Sequence, residues 1–389
     1  MTTYFVETDG AEEDFFADAL ADCAPRFVSS LDEVESDAEL LSIFIHSRID
    51  NAFLDRHPKL KLIAIRSSGY DHVDLRACER RNVVICFAPA CSDETVAEHA
   101  FALILALSRR TGEVLDACKR RRFSYAATRG FDVKGKTLGV SGAGRIGSNV
   151  IRFGKAFGMR VIAEDIRPQP GLEEKLGFCY ASLDELLRGS HIISLHVPLT
   201  ADTYHLLDRA AFRKCRRGVI IVNTARGRLI DTDALTEALD QGVVGGAGLD
   251  VIEEERVMTR DWSKIAAERI IKRLHAGGAA ADSDSPNPQR GGELGALIRN
   301  QSLIARPNVV FTPHIAFNSV EAVARINETT IHNIRSFLSG KPVNLVSQTR
   351  DAAEGLGTRP KKGGRSGRDR QTAPSARPKK DQPRQTRTP

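Results

Sequence analysis

TLGVSGAGRIG, residues 137–147, runs from an apolar stretch into a turn where Gly142, Gly144 and Gly147 recur as GxGxxG. The apolar run 137–141 predicts a strand covered on both faces, and residues 145–157 predict the helix that follows. Each glycine has a physical reason. The first permits a tight turn, the second lets backbone approach a pyrophosphate, and the third lets helix and strand pack closely. Arg145 and Ile146, in the first helical turn, present backbone N–H groups at the positive end of the helix dipole. A second predicted strand, 159–164, is followed by Asp165, 18 residues beyond Gly147, where a carboxylate would hold the adenosine ribose hydroxyls. That charge repels a 2′-phosphate, so the expected cofactor is NAD; Arg167 nearby weakens the preference without reversing it.

On either side the same alternation continues. Short apolar runs at 4–6, 42–45, 62–65 and 83–86 precede the motif, and runs at 191–195, 219–223, 246–250 and 309–312 follow it. Helix-like stretches separate them, including 94–107, 145–157, 233–241 and 320–338. Strand and helix in turn predict an α/β chain with two doubly wound parallel sheets. The expected division is 1–105 with 315–346 as one discontinuous domain and 106–314 as the dinucleotide-binding domain, joined by the helix 94–107. The run 342–346 is expected to end the ordered part in extended form. An insert, 256–306, interrupts the second series with helical pieces at 262–274 and 294–304 around a patch, 277–292, rich in Gly, Ala, Ser and Pro.

Composition bounds the rest. The net charge of +6 is misleading as a global figure, because residues 350–389 hold twelve Lys/Arg against four Asp/Glu, a net of +8 that leaves −2 for residues 1–349. An electrostatic case for nucleic-acid binding by the folded part therefore fails. The tail lacks aromatic residues and nearly lacks large aliphatics, so it is expected to be a disordered basic extension. Seven scattered cysteines without a CxxC pair suit reduced thiols in a cytoplasmic setting. No secretory signal, no apolar run near the roughly 20 residues of a membrane span, and no His/Cys/Asp cluster with metal-ligand spacing are read in the sequence.

Three side chains at strand ends suit hydride chemistry on a 2-oxo acid, which needs a clamp for the carboxylate and a proton for the forming alkoxide. Arg226 after VIIVNTA offers a planar fork that matches a carboxylate bidentately. His314 after VVFTP is of the residue type that can give and take a proton in such a step, and Glu255, ending the run after GLDV, would orient it. Each alone also reads as an ordinary structural residue. The other histidines considered, His72, His99 and His196, fit helix or strand-end positions and receive no chemistry.

Together, VNTARGRLID, GGAGLDVIEEE, TPHIAFNSVEA and HVPLTADTYHLL resemble signature segments of the D-isomer-specific 2-hydroxyacid dehydrogenases. IRSSGYDHVDL and APACSDETVAEHAFALILALSRR resemble that family too, and the likeness covers about residues 1–346. It is greatest to the D-lactate dehydrogenase-like branch, through HIAFNSVEA. The resemblance implies a Rossmann NAD domain and a flavodoxin-like substrate domain closing over a cleft, and a homodimer through the NAD domain. It implies that Arg226 binds the substrate carboxylate, that His314 is the general acid/base and that Glu255, 29 residues after Arg226, pairs with it.

By the same resemblance Val197, Pro198 and Thr203 line the adenosine side, Thr224 and Ala225 flank the nicotinamide, and Asp250 holds its carboxamide. Ser68 and Gly69 offer N–H groups to the substrate carboxylate. The chain departs from the pattern at Arg256, where most relatives carry proline, and at Cys91, where many lactate-type members carry an aromatic ring. Two other readings remain at this point. One is an NAD-sensing, corepressor-like scaffold whose basic tail touches nucleic acid or a partner. The other is a reductase for glyoxylate, hydroxypyruvate or a bulkier or phosphorylated 2-oxo acid, with Arg66 as a candidate phosphate contact.

Overall fold

The computed structural model describes residues 1–122, 124–126, 128–258 and 292–346. The expected helical piece 262–274, all but the last residue of the patch 277–292, and the tail 350–389 lie outside the described residues.

Five parallel strands make the first sheet: β1 (Thr3–Val6), β2 (Arg26–Val28), β3 (Leu40–Ile43), β4 (Leu62–Ile65) and β5 (Val84–Cys86), in the order β2-β1-β3-β4-β5. Alternate residues face opposite layers. Phe5, Leu40, Leu62 and Ala64 meet Phe16 of the helix Gly10–Ala19 and Ile334 of the helix Val320–Leu338. Tyr4, Leu41, Ile43, Ile63 and Ile65 meet Phe53, Leu54, Ala77 and Cys78 on the other side. Both faces are covered, which is why these strands read as unbroken apolar runs. The helix Val320–Leu338 thus returns the chain to the first sheet. The run 342–346 then lies along β5, with Phe87 N–H donating to Asn344 O at 3.1 Å and Val346 N–H to Ile85 O at 3.0 Å.

β3 sits two residues earlier than the apolar run suggested. Its register, Leu40 opposite Leu62 through Ile43 opposite Ile65, ends the pairing at Ile43. Phe44, Ile45 and His46 lead away into a loop. Arg66 follows β4 and is 1% exposed. Its guanidinium donates to Val6 O at 2.7 Å and Glu7 O at 2.5 Å, and lies over the rings of Phe16 and Phe44. Arg66 is a buried strut across three strand ends, not a phosphate contact.

Seven parallel strands make the second sheet: β6 (Thr137–Ser141), β7 (Arg160–Glu164), β8 (Cys179–Tyr180), β9 (Ile192–Leu195), β10 (Val219–Asn223), β11 (Val244–Leu249) and β12 (Val309–Phe311). Their order, β12-β11-β10-β9-β6-β7-β8, reverses direction between β6 and β9. In an open α/β sheet the carboxyl ends at such a reversal form the ligand crevice. The helix Asp93–Ser108 buries Ala97, Ala100, Phe101, Leu103, Ile104 and Leu107 in the core of this second sheet, with Leu138, Val140, Ile151 and Val161. The domain boundary expected at residue 105 lies within this helix. From the insert, the helix Gly292–Ile304 is described, and its Leu303 joins the core on the sheet's other face. Among the described residues, no helix is long and apolar enough to cross a membrane.

Candidate active site

The carboxyl end of β6 opens straight into the GxGxxG turn. Gly142 has φ +91° and lies so close to the chain after β9 that a Cβ would sit 2.6 Å from His196 O. A Cβ on Gly147 would strike Gly142 O. Gly144 differs: a Cβ there meets nothing within 4 Å, so the space before it is open. Gly144 also caps the helix Arg145–Ala156 with no side chain covering its amino end. Two glycines that close the turn and one that faces open space suit a pyrophosphate laid on the N–H groups of Arg145, Ile146 and Gly147. Asp165, beyond β7, accepts Ala143 N–H at 2.8 Å on one oxygen and Arg167 N–H at 2.8 Å on the other. Its carboxylate therefore stands at the rim of the turn, where ribose hydroxyls would lie.

The far wall of this crevice comes from the loop after β9. Val197 is half-buried, Pro198 is exposed, and Thr203 Oγ1 donates to Pro198 O at 2.6 Å while accepting Thr200 N–H at 2.7 Å. Thr203 thus braces the loop. Ser194 and His196 hydrogen-bond at 2.8 Å, and burial pushes the His196 pKa down to about 3, so its ring is neutral.

β10 ends at Asn223, which is fully buried and shapes the next turn. Its side chain accepts Ala225 N–H at 3.0 Å and donates to Arg226 O at 2.9 Å. Thr224 is buried with its hydroxyl unpaired. Arg226 then reaches across to the first sheet's loop 66–74. Its Nε and Nη2 both meet Asp71 Oδ1 at 2.7 Å, and Nη1 donates to Ala225 O at 2.8 Å. Burial pushes Asp71 up, but the Arg226 charge and hydrogen bond outweigh it and hold its carboxyl below the usual range. The fork therefore already holds a carboxylate on its Nε/Nη2 edge. Gly69 lies directly against the guanidinium. Ser68 turns its hydroxyl to Ala88 O at 2.9 Å, and its N–H and that of Gly69 make no backbone hydrogen bond.

β11 and β12 carry the other two groups. The three acids of the run after β11 part company. Glu253 is buried and takes His205 at 2.7 Å and Thr232 N–H at 3.0 Å; Glu254 lies 3.6 Å from Arg299. Glu255 Oε1 meets His314 Nδ1 at 2.8 Å. The helix Gly292–Ile304 is tied back to this run by Asn300, whose side chain donates to Glu253 O at 2.9 Å.

His314 has φ +56°, a left-handed backbone that a side chain adopts only when held there. Asp250 holds it. The Asp250 carbonyl accepts His314 N–H at 2.8 Å, and its carboxylate accepts Ile315 N–H at 2.9 Å, Ala316 N–H at 2.9 Å and Thr312 Oγ1 at 2.6 Å. His99, on the helix Asp93–Ser108, hydrogen-bonds Thr312 at 2.9 Å and lies 3.5 Å from Asp250. Burial pushes the Asp250 carboxyl up, yet the hydrogen bonds from His99, Thr312 and the two backbone N–H groups bring its pKa below the usual value. Asp250 has no exposed surface. Its oxygens are engaged by the loop around His314. Neither this clamp nor the Asp71 contact was anticipated. Asp71 lies inside the quoted GYDHVDL segment, but only the fold shows what it faces.

Cys91 is buried, with Sγ 3.3 Å from Thr329 Oγ1 and 3.6 Å from Arg325 O, so it packs on the helix Val320–Leu338. Among the described residues, no group of three or more His, Cys, Asp or Glu could hold a metal ion.

Comparison with known proteins agrees with this geometry. Residues 101–316 match the family model described as D-isomer specific 2-hydroxyacid dehydrogenase, NAD binding domain. A glyoxylate reductase of Korarchaeum cryptofilum is 34% identical over 342 residues, covering 87% of this chain and 91% of the relative. A D-lactate dehydrogenase of Escherichia coli is 36% identical over 314 residues, 79% of this chain and 86% of the relative. The crystal structure of D-lactate dehydrogenase from Aquifex aeolicus complexed with NAD and lactic acid superposes with a TM-score of 0.74 at 35% identity, covering 89% of this chain and all of that one. The glycine turn, with its uncapped helix and rim carboxylate, is a fit for NAD on its own geometry, and the matched residues span it together with Arg226, Glu255 and His314. This chain belongs to the D-isomer specific 2-hydroxyacid dehydrogenase family and is an NAD-dependent enzyme of it.

Proposed function

We propose that the enzyme interconverts a D-2-hydroxy acid and its 2-oxo acid with Arg226 as the carboxylate clamp, His314 as the acid/base and Glu255 as its partner. One observation carries this reading. The neighbouring strands β10, β11 and β12 end in Arg226, the Asp250 and Glu255 segment, and His314, and Arg226 faces the Ser68–Gly69 turn of the first sheet.

When bound, the dinucleotide supplies or accepts the hydride at C2. The chain does the rest. The substrate carboxylate takes the place of Asp71 on the Nε/Nη2 edge of Arg226, with the Ser68 and Gly69 N–H groups opposite, and C2 is so aimed at the crevice. Glu255 occupies Nδ1 of His314, which leaves Nε2 to exchange the proton. In reduction, His314 would give its proton to the C2 oxygen as alkoxide charge develops there. The Glu255 charge stabilises the imidazolium needed beforehand. Closure of the first-sheet unit on the second would exclude water. Ala225, Val197, Pro198 and Thr203 fit the nicotinamide and adenosine sides of the crevice, and Asp250 serves this reading through the His314 loop.

The same reading takes a homodimer through the dinucleotide unit, where Leu115 and Tyr125 expose apolar surface, and a cytoplasmic setting. The test follows NADH oxidation with pyruvate, glyoxylate, hydroxypyruvate, phenylpyruvate and 2-oxoisocaproate, beside His314→Ala. Turnover of at least one acid, abolished in the variant, is expected. Tight NADH binding with no turnover of any would favour the scaffold reading instead.

A further inference from the structure

The carboxylate on the fork of Arg226 belongs to the chain itself. Asp71 lies on the first-sheet loop 66–74, and its Oδ1 is 2.7 Å from both Nε and Nη2 of Arg226. A Cβ placed on Gly69 would overlap the guanidinium and lie 3.5 Å from the same Oδ1. That oxygen sits where the fork and the Ser68–Gly69 turn come together, the seat that the proposed reading gives to the substrate carboxylate. Burial raises the Asp71 pKa, but the Arg226 charge outweighs it, so Asp71 meets the fork as an anion. Substrate and Asp71 cannot hold this seat together.

The geometry makes the incumbent displaceable. Two donors of the fork converge on one Asp71 oxygen. A free carboxylate can turn to give each donor its own oxygen, the bidentate arrangement that makes such pairs strong. Asp71 is exposed, so its released carboxylate reaches water directly. The backbone beneath it need not move. Val73 N–H donates to Tyr70 O at 3.1 Å, Ile49 N–H to His72 O at 3.0 Å and Asp74 N–H to Ile49 O at 2.9 Å, which pins the loop around residue 71. Displacement is a side-chain rotation.

Asp71 still has one advantage over any dissolved carboxylate. It is tethered beside the fork, so it forms its contact without the entropy loss of association. A ligand that needs the fork free binds in proportion to the fraction of time that Asp71 is away. The same factor therefore weakens every carboxylate that uses Arg226, whatever the rest of the molecule contributes.

We propose that Asp71 is an internal competitor for Arg226 and sets the concentration at which a 2-oxo acid, or any other carboxylate, occupies the clamp. This rests on the reading of Arg226 as the substrate clamp.

The test compares wild type, Asp71→Asn, Asp71→Ala and Arg226→Gln as full chains, in NADH oxidation with the best 2-oxo acid of the panel above. Propionate, a carboxylate without a C2 oxygen, is titrated as a competitive inhibitor. Asparagine keeps an oxygen toward the fork but no charge; alanine removes both, while the bond from Arg226 Nη1 to Ala225 O at 2.8 Å remains. In Asp71→Asn, kcat/KM should rise about 3- to 10-fold, as when a partly exposed ion pair no longer occupies the site. Ki for propionate should fall by the same factor, within about twofold. Asp71→Ala should exceed the wild type in kcat/KM too, whereas a residue that merely braced Arg226 would give a loss there and little change with asparagine. Arg226→Gln should lower kcat/KM by roughly 10- to 100-fold, the range for a charge-assisted hydrogen-bonded contact. If it does, an Asp71→Asn enzyme with kcat/KM unchanged or lowered, or with an unaltered Ki for propionate, overturns the proposal. An Arg226→Gln enzyme equal to the wild type would instead bring down the clamp reading beneath it.

Discussion

Gly69 and Arg226 touch: a Cβ on residue 69 would overlap the guanidinium, so the fork is seated on bare backbone. Together with the bond from Nη1 to Ala225 O, this leaves Arg226 little freedom to turn. In the proposed reading Arg226 is thus held in position before any substrate arrives, with Asp71 on the edge that the substrate carboxylate would take. Its orientation depends on a residue with no side chain, and that gives the sharpest mutation available.

Gly69→Ala should displace the guanidinium and raise KM for the 2-oxo acid by about 10²-fold, since a shift near 1 Å in a positioning group has that order of effect. NADH affinity, read by fluorescence titration, should stay within about twofold. An alanine variant with normal KM would show that Arg226 does not meet the substrate.

His314→Ala should lower kcat by roughly 10²–10⁴-fold with little change in NADH binding. Glu255→Gln keeps the hydrogen bond to Nδ1 but removes the charge behind the ring. A smaller fall in kcat than in His314→Ala is therefore expected. A Glu255→Gln kcat equal to that of the wild type would remove the electrostatic role from that residue.

His99 acts at one remove, through Thr312 and Asp250. His99→Phe should reduce kcat about tenfold while KM for NADH holds, because the loop around His314 loses a brace and the glycine turn does not. His99→Gln restores a donor toward Thr312 and should recover most of the loss. Equal damage from both substitutions would mark His99 as packing alone.

Asp165→Ser removes the charge at the rim of the glycine turn. The preference for NADH over NADPH in kcat/KM should fall by tenfold or more. The Ala143 N–H also loses its acceptor, so a melting temperature lower by a few degrees is expected, in line with a loss of about 1 kcal/mol. Unchanged discrimination would move the ribose contact elsewhere.

His72 gives a pH dependence of stability with a definite sign. Burial holds its folded pKa near 4, below the usual 6.5 of the unfolded chain. The unfolded state therefore binds the proton more readily, and stability is lost as pH falls from about 6.5 toward 4. Urea midpoints measured across that interval should fall less steeply in His72→Gln. Parallel curves for the two proteins would refute the assignment.

Much of the scaffold was readable because its strands are covered on both faces. Runs such as VIIV of β10 are apolar throughout, and the limits of β4, β6 and β10 came out residue for residue, whereas β11 begins two residues before the expected 246. β2 and β8 escaped notice for the opposite reason. They are edge strands of three and two residues, exposed or half-buried, with no apolar run to announce them. β3 slipped by two residues because apolarity continues past Ile43, while its limits are set by pairing with β1 and β4. At the site, the residues tied to strand ends and glycine turns stood out. Those joined only by distant folding did not: Asp71 meets Arg226 across 155 residues, and His99 meets Thr312 across 213. The hold that Asp250 has on the His314 loop was not legible, because a lone acid after a strand does not announce how many backbone N–H groups will converge on it.

The contact between Asn300 and the Glu253 carbonyl has a wider consequence. Asn300 is buried, and its amide is held by a backbone atom two residues from Glu255, so the helix Gly292–Ile304 is tied to the acidic run. A change on the buried face of that helix, at Ala296 or Leu303 as much as at Asn300, is therefore transmitted to the carboxylate beside the imidazole. The seat of Glu255 belongs to two separate stretches of sequence, and neither can drift alone.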